Sequence, residues 1–557
     1  MLLEWEIGQL FMFGFEGRTP DPKIQRKIEE LKPGGVIHFA RNTGAPARVL
    51  ALNRALQDAA LSAGTPPLLV ALDQEGGTVA RLVESFPVFP SNMAFGAIYA
   101  RDPDSGMRLC FEAALTTARA LRALGFNMNL APCVDVNTNY LNPVIGVRSF
   151  SDRPAAVARL GNAALRGHAC GGVLATAKHF PGHGDTAVDS HIGLPSVVWD
   201  LEFEQTHVFP FREAISAGAE AVMTAHLVCQ KRLPNGTLQP GGSPATLSRD
   251  VLTGCLRGRL GFGGLIITDC MEMGAITQTF GASRAAVMAL RAGVDMVLVS
   301  HTEELQRRSL EAVKEAIREG DLDEREIRAK LRRIAGARSS VAERHGAGSP
   351  GSGGREHSDG LGESDPAGAY DLVARTAALS ITLLRRDFTP PRDSGPPVVI
   401  APNKYGSTLV EDTSQSPLGK VLDMRLPGAT HVLYSPEPTL SEAARCTEAA
   451  RSASWVVFAA INLHLSSAQA RLARAVLRAN WSFVLLDMVT PFSLTALPEA
   501  PCAVVCYGYA PCQLAAALDV ILGDKTPMGC LPVDVPGFFP FGFGLDGAGG
   551  VIQGAGD

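Results

Sequence analysis

Six ionisable side chains lie close together in one glycine- and proline-rich stretch, residues 178–195: Lys178, His179, His183, Asp185, Asp189 and His191. The stretch follows an apolar run, Val173–Ala177, which has the length and composition of a buried strand. Pro181, Gly182 and Gly184 then exclude a regular helix or strand. A polar loop that leaves the end of a buried strand is where α/β proteins commonly carry catalytic groups. We therefore expect this loop to contribute to a functional site.

A further carboxylate ends another apolar run, Gly264-Leu-Ile-Ile-Thr-Asp269. Asp269 is expected at the rim of a buried strand, with its carboxylate directed into the mouth of the site. A carboxylate held there could attack an electrophilic sugar carbon and form a covalent intermediate. The alternative interpretation is that Asp269 caps the N-terminus of the next helix, and this residue alone does not distinguish the two.

Such an attack needs a second group that protonates the leaving oxygen. The loop offers Asp185 and Asp189, and His191 follows Asp189 by two residues. In an extended segment these two side chains project to the same side, so the Asp189 carboxylate can hydrogen-bond the His191 ring and fix its tautomer. A histidine can then act first as acid and afterwards as base at neutral pH. The alternative is that Asp189 and His191 only brace the loop.

The three loop histidines also raise the question of a metal site. Zinc sites usually need three protein ligands at helical or knuckle spacing. His179, His183 and His191 are separated by three and seven residues on a loop interrupted by proline and glycine, which does not match that spacing. We expect neither a metal nor a cofactor.

Charged and polar side chains near other predicted strand ends could bind sugar hydroxyls. Asp73 can accept hydrogen bonds from two ring hydroxyls, whereas Arg148, Lys178 and His179 can donate to others. Each of them alone could equally form a buried salt bridge. Their convergence on one rim favours binding.

Eight apolar strand candidates alternate with amphipathic helical segments over residues 1–338. The predicted strands are Leu10–Phe15, Gly35–Phe39, Leu68–Asp73, Asn127–Pro132, Leu174–Phe180, Ala221–His226, Leu265–Asp269 and Met296–His301. This alternation favours an α/β fold with an N-terminal (β/α)8 TIM barrel, and a doubly wound sheet is the competing topology. Active sites of such barrels lie at the C-terminal ends of the strands, where this sequence repeatedly places ionisable residues.

The composition changes after Arg338. Residues 339–369 are rich in glycine, serine and acidic residues and are predicted to be a linker. Strand and helix candidates resume over residues 370–557, which predicts a smaller three-layer α/β/α sandwich domain. This second domain has no glycine-rich phosphate-binding loop.

The overall composition limits the class of protein. The 557 residues are 46% hydrophobic and 19% charged with a formal net charge of −5, which gives no reason to expect a nucleic acid or an anionic membrane as partner. No run approaches the roughly 20 apolar residues of a membrane-spanning helix. The first residues carry acids where a signal peptide needs bases, and the 11 scattered cysteines are typical of reduced thiols. We expect a cytoplasmic protein and a monomer, and the strand-end groups described above predict a small carbohydrate as its partner.

The motifs as a set resemble the β-N-acetylhexosaminidase branch of glycoside hydrolase family 3. The resemblance is carried by Lys178-His-Phe-Pro-Gly-His-Gly-Asp-Thr, Asp189-Ser-His, Asp73-Gln-Glu-Gly-Gly and Thr268-Asp-Cys-Met-Glu-Met. These motifs follow one another in the family's order along the whole predicted barrel. The second domain is similar to that of the family's two-domain members.

The resemblance implies specific roles for residues of this chain. Asp269 matches the family's nucleophile, and His191 and Asp189 match its acid/base dyad. Positions matching Asp73, Arg81, Arg148, Lys178 and His179 bind the N-acetylglucosamine (GlcNAc) unit. The implied activity is release of terminal β-linked GlcNAc, typically from peptidoglycan fragments, with retention of configuration and without a cofactor. One departure is Thr78, which stands where many relatives have arginine.

Three alternatives remain open from the sequence. A histidine as acid/base does not repel phosphate as a carboxylate would, so phosphate could replace water as acceptor in a β-N-acetylglucosaminide phosphorylase. A non-catalytic sugar-binding protein on the same scaffold would be expected to lack Asp269 or His191, and both are present. A β-glucosidase would turn over glucosides and GlcNAc glycosides comparably. The Asp189-Ser-His loop argues against a β-glucosidase. Because this loop already offers an acid/base group, we expect the second domain to have a structural or substrate-access role.

Overall fold

A computed structural model describes residues 2–232, 237–238, 242–346, 366–391, 395–405 and 418–554. Its first domain is built on eight parallel strands: β1 (Phe11–Gly14), β2 (Gly35–His38), β3 (Leu69–Leu72), β4 (Met128–Asn129), β5 (Leu174–Phe180), β6 (Ala221–Thr224), β7 (Leu265–Cys270) and β8 (Met296–Val299). They close into a barrel in the order β1-β8-β7-β6-β5-β4-β3-β2. The predicted barrel is confirmed, and the doubly wound alternative is wrong because β1 pairs with both β2 and β8.

The strands are mainly apolar because their residues are covered on both faces, and ionisable residues such as Lys178 and Asp269 stand near their C-terminal ends. All seven residues of β5 are buried, for example. The α-helices of this domain are Glu4–Gly8, Pro22–Leu31, Pro46–Ser62, Asn92–Arg101, Pro103–Ala123, Pro154–Cys170, Leu201–Phe203, Phe209–Ser216, Gly274–Thr277, Ala282–Ala292, Glu303–Arg318 and Glu324–Gly346, with π-helical segments at Glu204–Val208 and Asp250–Arg259. Short strand pairs join Gln74–Gly76 to Val79–Ala80 and Ser196–Val198 to Val228–Gln230. Among the described residues, no helix combines the length and apolar character needed to cross a membrane.

A buried ion cluster lies at the N-terminal end of the barrel. Asp295 directly precedes β8 and is fully buried. Its Oδ2 accepts hydrogen bonds from Arg257 at 2.5 Å and from the backbone N–H of Ile266 at 2.8 Å. Its Oδ1 accepts from Arg333 at 2.7 Å. One carboxylate therefore ties β7, the segment Asp250–Arg259 and the helix Glu324–Gly346 together, at the end of the barrel opposite the ionisable strand ends.

The helix Glu324–Gly346 continues past Arg338, where we expected the linker to begin. It continues because Val341 is buried in the barrel core and Arg344 pairs with Glu220 at the start of β6. The rest of the predicted linker lies outside the described residues up to Pro366, where the next helix begins.

The second domain contains a six-stranded mixed sheet. Its strands are β9 (Thr382–Arg386), β10 (Val398–Pro402), β11 (Thr430–Tyr434), β12 (Val456–Ala460), β13 (Phe483–Asp487) and β14 (Cys502–Val505). The order is β9-β14-β13-β12-β10-β11, with only β9 antiparallel to its neighbour. The helices of this domain form two groups. The first group contains Pro366–Ser380, Leu418–Arg425 and Pro511–Ile521, and the second contains Leu440–Ser452 and Ser467–Ala479. The chain ends in a hairpin of Phe543–Leu545 and Val551–Gln553. This confirms the predicted α/β class.

The two domains are joined by direct contacts. Arg153 of the barrel donates to both carboxylate oxygens of Asp534, each at 2.9 Å. The Ser151 hydroxyl donates to the carbonyl of Pro532 at 2.5 Å. The barrel helix Asn92–Arg101 also packs against the helix Pro366–Ser380, with which the second domain begins.

Candidate active site

A cavity of about 440 Å³ opens at the C-terminal end of the barrel. Side chains from loops after most of the strands line it. They include Asp73, Arg81, Arg148, Lys178, His179, His191 and Asp269. These are all of the site residues proposed from the sequence except Asp189, which lies directly behind His191. Residues that are up to 196 positions apart in the chain therefore meet in one place, as expected of strand ends in a barrel.

Asp269 lies at the end of β7 and lines the cavity. Its Oδ1 accepts a hydrogen bond of 2.7 Å from the backbone N–H of Cys270. Burial acts to raise the pKa of Asp269, but the nearby imidazoles of His179, His226 and His191 outweigh it and the net shift is downward. The carboxylate is consequently ionised at neutral pH, as a nucleophile must be.

His226, just after β6, supports the strand that carries Asp269. Its Nε2 lies 3.0 Å from the carbonyl oxygen of Cys270, which can only accept, so Nε2 carries the hydrogen. Burial lowers the pKa of His226. A neutral His226 thus holds the backbone next to Asp269 without adding a full positive charge.

Asp189 and His191 form a hydrogen-bonded pair on the loop after β5. The Oδ1 of Asp189 lies 2.7 Å from His191 Nδ1 and accepts the His191 backbone N–H at 2.9 Å. Burial acts to raise the pKa of Asp189, but its hydrogen bonds to His191 outweigh this and lower it. An ionised Asp189 keeps the hydrogen on Nδ1 and leaves Nε2 as the ring nitrogen available to the cavity that His191 lines.

The loop is fixed on two sides, which holds His191 at the cavity that Asp269 also lines. The backbone of Gly274, just after β7, donates to the His191 carbonyl at 3.2 Å, and Ala275 donates to Ser190 at 3.1 Å. At the other end, a side chain on Gly184 would collide with the carbonyl oxygen of Val136. Only glycine permits this close approach of the loop to the segment after β4.

A buried network of alternating charges forms the opposite wall. Lys178 Nζ lies 2.8 Å from Asp73 and 2.7 Å from Glu75, and Glu75 pairs with Arg148 at 2.8 and 3.0 Å. Arg81 approaches Asp73 at 3.5 Å. Burial acts to raise the pKa of Glu75, yet Arg148 and Lys178 lower it strongly. The sequence left open whether these cations form buried salt bridges or bind a ligand. Arg148 and Lys178 do form buried ion pairs, and both also line the cavity.

His179 connects this wall to the floor of the site. Its Nδ1 lies 2.7 Å from Asp135, and its Nε2 lies 3.3 Å from Arg148. A guanidinium can only donate, so Nε2 accepts and the hydrogen resides on Nδ1. Asp135 also accepts the backbone N–H of His183 at 2.6 Å. This buried carboxylate therefore sets both the tautomer of His179 and the path of the loop.

The other loop residues have structural contacts. His183 is buried between the hydroxyls of Thr186 and Ser190, at 2.8 and 3.1 Å, and burial lowers its pKa to about 4. Asp185 accepts from the Thr138 hydroxyl at 3.0 Å and does not line the cavity. Asp185 is thus not placed as an acid/base group.

Cys133, Asp135 and His179 place three metal-binding atom types within 4.8 Å of one another. The contacts are those of hydrogen bonds, since Asp135 accepts from the Cys133 thiol at 3.1 Å and from His179. Burial raises the pKa of Cys133 well above its usual range, which disfavours the thiolate that a metal needs. The chemistry of this donor set does not fit a metal.

Two residues of the site were assigned no role from the sequence, although Asp135 was expected just beyond a strand end. Glu75 follows Asp73 by two positions, and this spacing could have indicated that both carboxylates face one side. Asp135 lies beyond β4 and acts through His179, a contact that no local spacing indicates.

Comparisons with known proteins agree with this geometry. Residues 2–337 match the glycosyl hydrolase family 3 N-terminal domain. Beta-hexosaminidase A of Pseudoalteromonas piscicida is 37% identical over 331 residues, which are 57% of this chain and 55% of that protein. Beta-hexosaminidase of Xylella fastidiosa (strain M23) is 37% identical over 295 residues, 53% of this chain and 84% of that protein.

One solved structure extends the likeness to both domains. It is a glycoside hydrolase family 3 beta-N-acetylglucosaminidase from Paenibacillus sp. str. FPU-7, 37% identical in sequence. It superposes with a TM-score of 0.85 over 96% of this chain and 99% of that chain. The chain described here spans just over half the length of the Pseudoalteromonas relative but nearly the whole of this structure.

Proposed function

Because the chain belongs to glycosyl hydrolase family 3, as its motifs predicted, we propose that it is a retaining exo-β-N-acetylglucosaminidase that hydrolyses terminal β-linked GlcNAc. The observation that carries the proposal is the presence of Asp269 and the Asp189–His191 pair at one cavity. The name of the Paenibacillus structure supports GlcNAc as the sugar, and the names of the two beta-hexosaminidases support a hexosamine.

In the first step Asp269 attacks the anomeric carbon and the bond to the leaving oxygen breaks. The lowered pKa of Asp269 supports this role, since the attacking carboxylate must be ionised. His191 donates the proton from Nε2 to the leaving oxygen, and Asp189 stabilises the imidazolium on the other side of the ring. The product of this step is a covalent glycosyl-aspartate, and the leaving group departs as an alcohol.

In the second step a water attacks the same carbon from the face that the leaving group vacated. His191, now neutral, takes the proton of that water, and the bond to Asp269 breaks. Two inversions give net retention at the anomeric carbon. Each proton lost by His191 is returned to it, so the enzyme ends in its starting state.

Asp73, Arg81, Arg148, Lys178 and His179 are proposed to bind the sugar's hydroxyl and acetamido groups. Their buried ion pairs support this, because groups already fixed by Glu75 and Asp135 lose little freedom when a sugar binds. Binding energy is then retained for orienting the anomeric carbon over Asp269.

We further propose that the substrates are fragments of peptidoglycan and that the protein works as a monomer in the cytoplasm. All 11 cysteines have free thiols, which is consistent with a reducing compartment. Among the described residues, those that line the cavity at Asp269 all come from the barrel domain.

The test is hydrolysis of 4-nitrophenyl β-GlcNAc against 4-nitrophenyl β-glucoside, with and without inorganic phosphate. We expect strong preference for the GlcNAc glycoside, release of free sugar whether or not phosphate is present, and first formation of the β-anomer by proton NMR. Appearance of sugar 1-phosphate would instead assign a phosphorylase. Comparable turnover of the two glycosides would assign a β-glucosidase, and no turnover of either would favour a sugar-binding protein.

A further inference from the structure

The second domain contacts the barrel next to the segment that supports the loop of Asp189 and His191. His464 follows β12, and its Nε2 lies 3.0 Å from the carbonyl oxygen of Tyr140 in the barrel. A carbonyl oxygen can only accept, so Nε2 carries the hydrogen and donates. Burial lowers the pKa of His464 to about 4, so the ring is neutral and this is its single N–H. We call this hydrogen bond the domain latch.

Aromatic packing supports the domain latch. The ring of Phe492, which follows β13, contacts the Tyr140 ring edge-on, with the centroids 5.8 Å apart. The same ring contacts His464 edge-on, with the centroids 5.3 Å apart. Tyr140 therefore lies against two side chains of the second domain, which fix both its ring and its backbone carbonyl.

Tyr140 belongs to a barrel segment after β4, residues 138–142, which we call the bracing segment. Three side chains of the bracing segment donate hydrogen bonds to the loop after β5. They are Thr138 to the Asp185 carboxylate at 3.0 Å, Asn139 to the Thr186 carbonyl at 3.2 Å, and Asn142 to the His183 carbonyl at 2.9 Å. Asn139 directly precedes Tyr140, so a shift of the latched residue moves the donor to Thr186.

The His183 ring connects this braced part of the loop to the acid/base dyad. Its Nδ1 lies 2.8 Å from the Thr186 hydroxyl, and its Nε2 lies 3.1 Å from the Ser190 hydroxyl. Ser190 stands between the two dyad residues in the chain. A contiguous series of contacts therefore runs from the second domain to the dyad.

We propose that His464 is a positioning residue for the Asp189–His191 dyad. By holding Tyr140, the second domain fixes the bracing segment and, through the loop, the direction of the His191 ring at the cavity. The inference rests on the proposed function and extends it, because it gives the second domain a part in catalysis without a group at the cavity. The bonds made and broken in the reaction are unchanged.

The expected signature follows from where the domain latch acts. A catalytic group about 1 Å out of place can lower the rate by about 10²-fold. The loop that carries the dyad has an exposed tip at Ala187 and Val188, whereas Asp269 lies on β7 and is held by the backbone of Cys270. Loss of the latch should therefore impair proton transfer to the leaving oxygen and spare the nucleophile.

The experiment compares kcat/KM for methyl β-GlcNAc, a poor leaving group, with kcat/KM for 4-nitrophenyl β-GlcNAc. In His464→Ala we expect a loss of about tenfold for the methyl glycoside and at most about twofold for the nitrophenyl glycoside, which needs little proton assistance. The ratio of the two values does not depend on how much of the variant is folded. An unchanged ratio would overturn the proposal.

Conservative variants test the hydrogen bond itself. The amide N–H of His464→Gln lies near the position of Nε2, whereas that of the shorter His464→Asn lies near Nδ1. We expect His464→Gln to restore the ratio to within about threefold of wild type and His464→Asn to behave as His464→Ala does. His431→Ala, an exposed histidine on β11, is the control and should leave the ratio unchanged. Failure of His464→Gln to restore the ratio would overturn the assignment to Nε2.

A second variant tests the route from the barrel side. Asn139→Ala removes the donor to the Thr186 carbonyl and should also lower the ratio. When it is combined with His464→Ala, the ratio should fall by less than the product of the two single losses, because both changes break one series of contacts. Losses that multiply would overturn the route through the bracing segment.

Failure of the proposed function is separable from failure of this inference. If wild type hydrolyses neither glycoside, the proposed function is overturned. Amide hydrogen exchange of residues 183–191, measured by mass spectrometry, then decides whether the domain latch holds the loop. Faster exchange in His464→Ala but not in His431→Ala supports the inference, and equal exchange in wild type and His464→Ala overturns it.

Discussion

Asp269 and Asp487 occupy equivalent positions in the two sheets, one at the end of β7 in the barrel and the other at the end of β13 in the second domain. Both carboxylates are buried, yet their pKa values move in opposite directions. Histidines around Asp269 lower its pKa against the effect of burial. Burial raises the pKa of Asp487 to about 7, opposed only by its hydrogen bonds to Ser493.

The difference teaches what turns a strand-end aspartate into a candidate nucleophile. Asp487 accepts the backbone N–H of Ser493 at 3.0 Å and so satisfies a donor in the first turn of the short helical segment Pro491–Thr495, whose N-cap residue is Thr490. That is a structural role of the kind left open for Asp269 from the sequence. Position at the end of a strand is common to both, whereas the nearby histidines and the open cavity belong to Asp269 alone of the two.

The sharpest test of the contrast is to neutralise each carboxylate. Asp269→Asn should lower kcat on 4-nitrophenyl β-GlcNAc by about 10⁴-fold or more, because the remaining groups of the site supply binding and proton transfer but no nucleophile. Asp487→Asn should keep kcat within about twofold. Initial rates on the two purified variants measure this, and retained activity in Asp269→Asn would remove this residue from the mechanism.

The histidines near Asp269 can be tested through the leaving group. His191→Ala should lower kcat/KM by about 10²–10⁴-fold for an alkyl glycoside, which needs its leaving oxygen protonated, and far less for a nitrophenyl glycoside. His431→Ala, an exposed histidine on β11, is the control and should affect neither. Equal losses on both substrates would mean that His191 only braces the loop.

The charged wall of the site should respond in stability as well as in binding. Glu75→Gln leaves Lys178 and Arg148 buried with less compensating charge, which should lower the free energy of unfolding by about 3–5 kcal/mol and raise KM. Glu112→Gln, in an exposed pair with Arg108, should change stability by about 1 kcal/mol or less. Denaturant titration of both variants compares them, and equal effects would contradict the buried network.

The raised pKa of Asp487 predicts a pH dependence of stability in the second domain. The folded state holds this proton up to about pH 7, whereas the unfolded chain releases it near pH 4. Stability should therefore fall as pH rises from about 4 to 7, by roughly 2–4 kcal/mol from this group. Asp487→Asn should remove that fall, as measured by denaturant titration at pH 4, 6 and 8. If the stability of Asp487→Asn depends on pH in the same way as that of wild type, burial does not raise the pKa of Asp487.

The sequence predicted those parts of the site that depend on local pattern. Apolar runs that end in ionisable residues located Asp73, Lys178 and Asp269, because in a barrel every strand points to the same mouth. The Asp189–His191 pair also followed from its spacing. Their roles in catalysis stay predictions.

The remainder depends on tertiary contacts that no local pattern contains. Asp135 orients His179 from a different strand end, and Arg153 pairs with Asp534 of the other domain. The helix that passes Arg338 likewise continues because Val341 and Arg344 find partners in the barrel. Composition indicated a linker there, but burial by distant residues decides where a helix ends.

The ion cluster around Asp295 has a consequence for how this protein can change. It is at the end of the barrel remote from the cavity, and it ties β7, the segment Asp250–Arg259 and the last barrel helix together. Selection for heat resistance can therefore act on one end of the barrel while selection for new substrates acts on the other. A mutant library restricted to the Asp295 end should yield a range of melting temperatures with one substrate profile, whereas a library at the cavity loops should change the substrate profile.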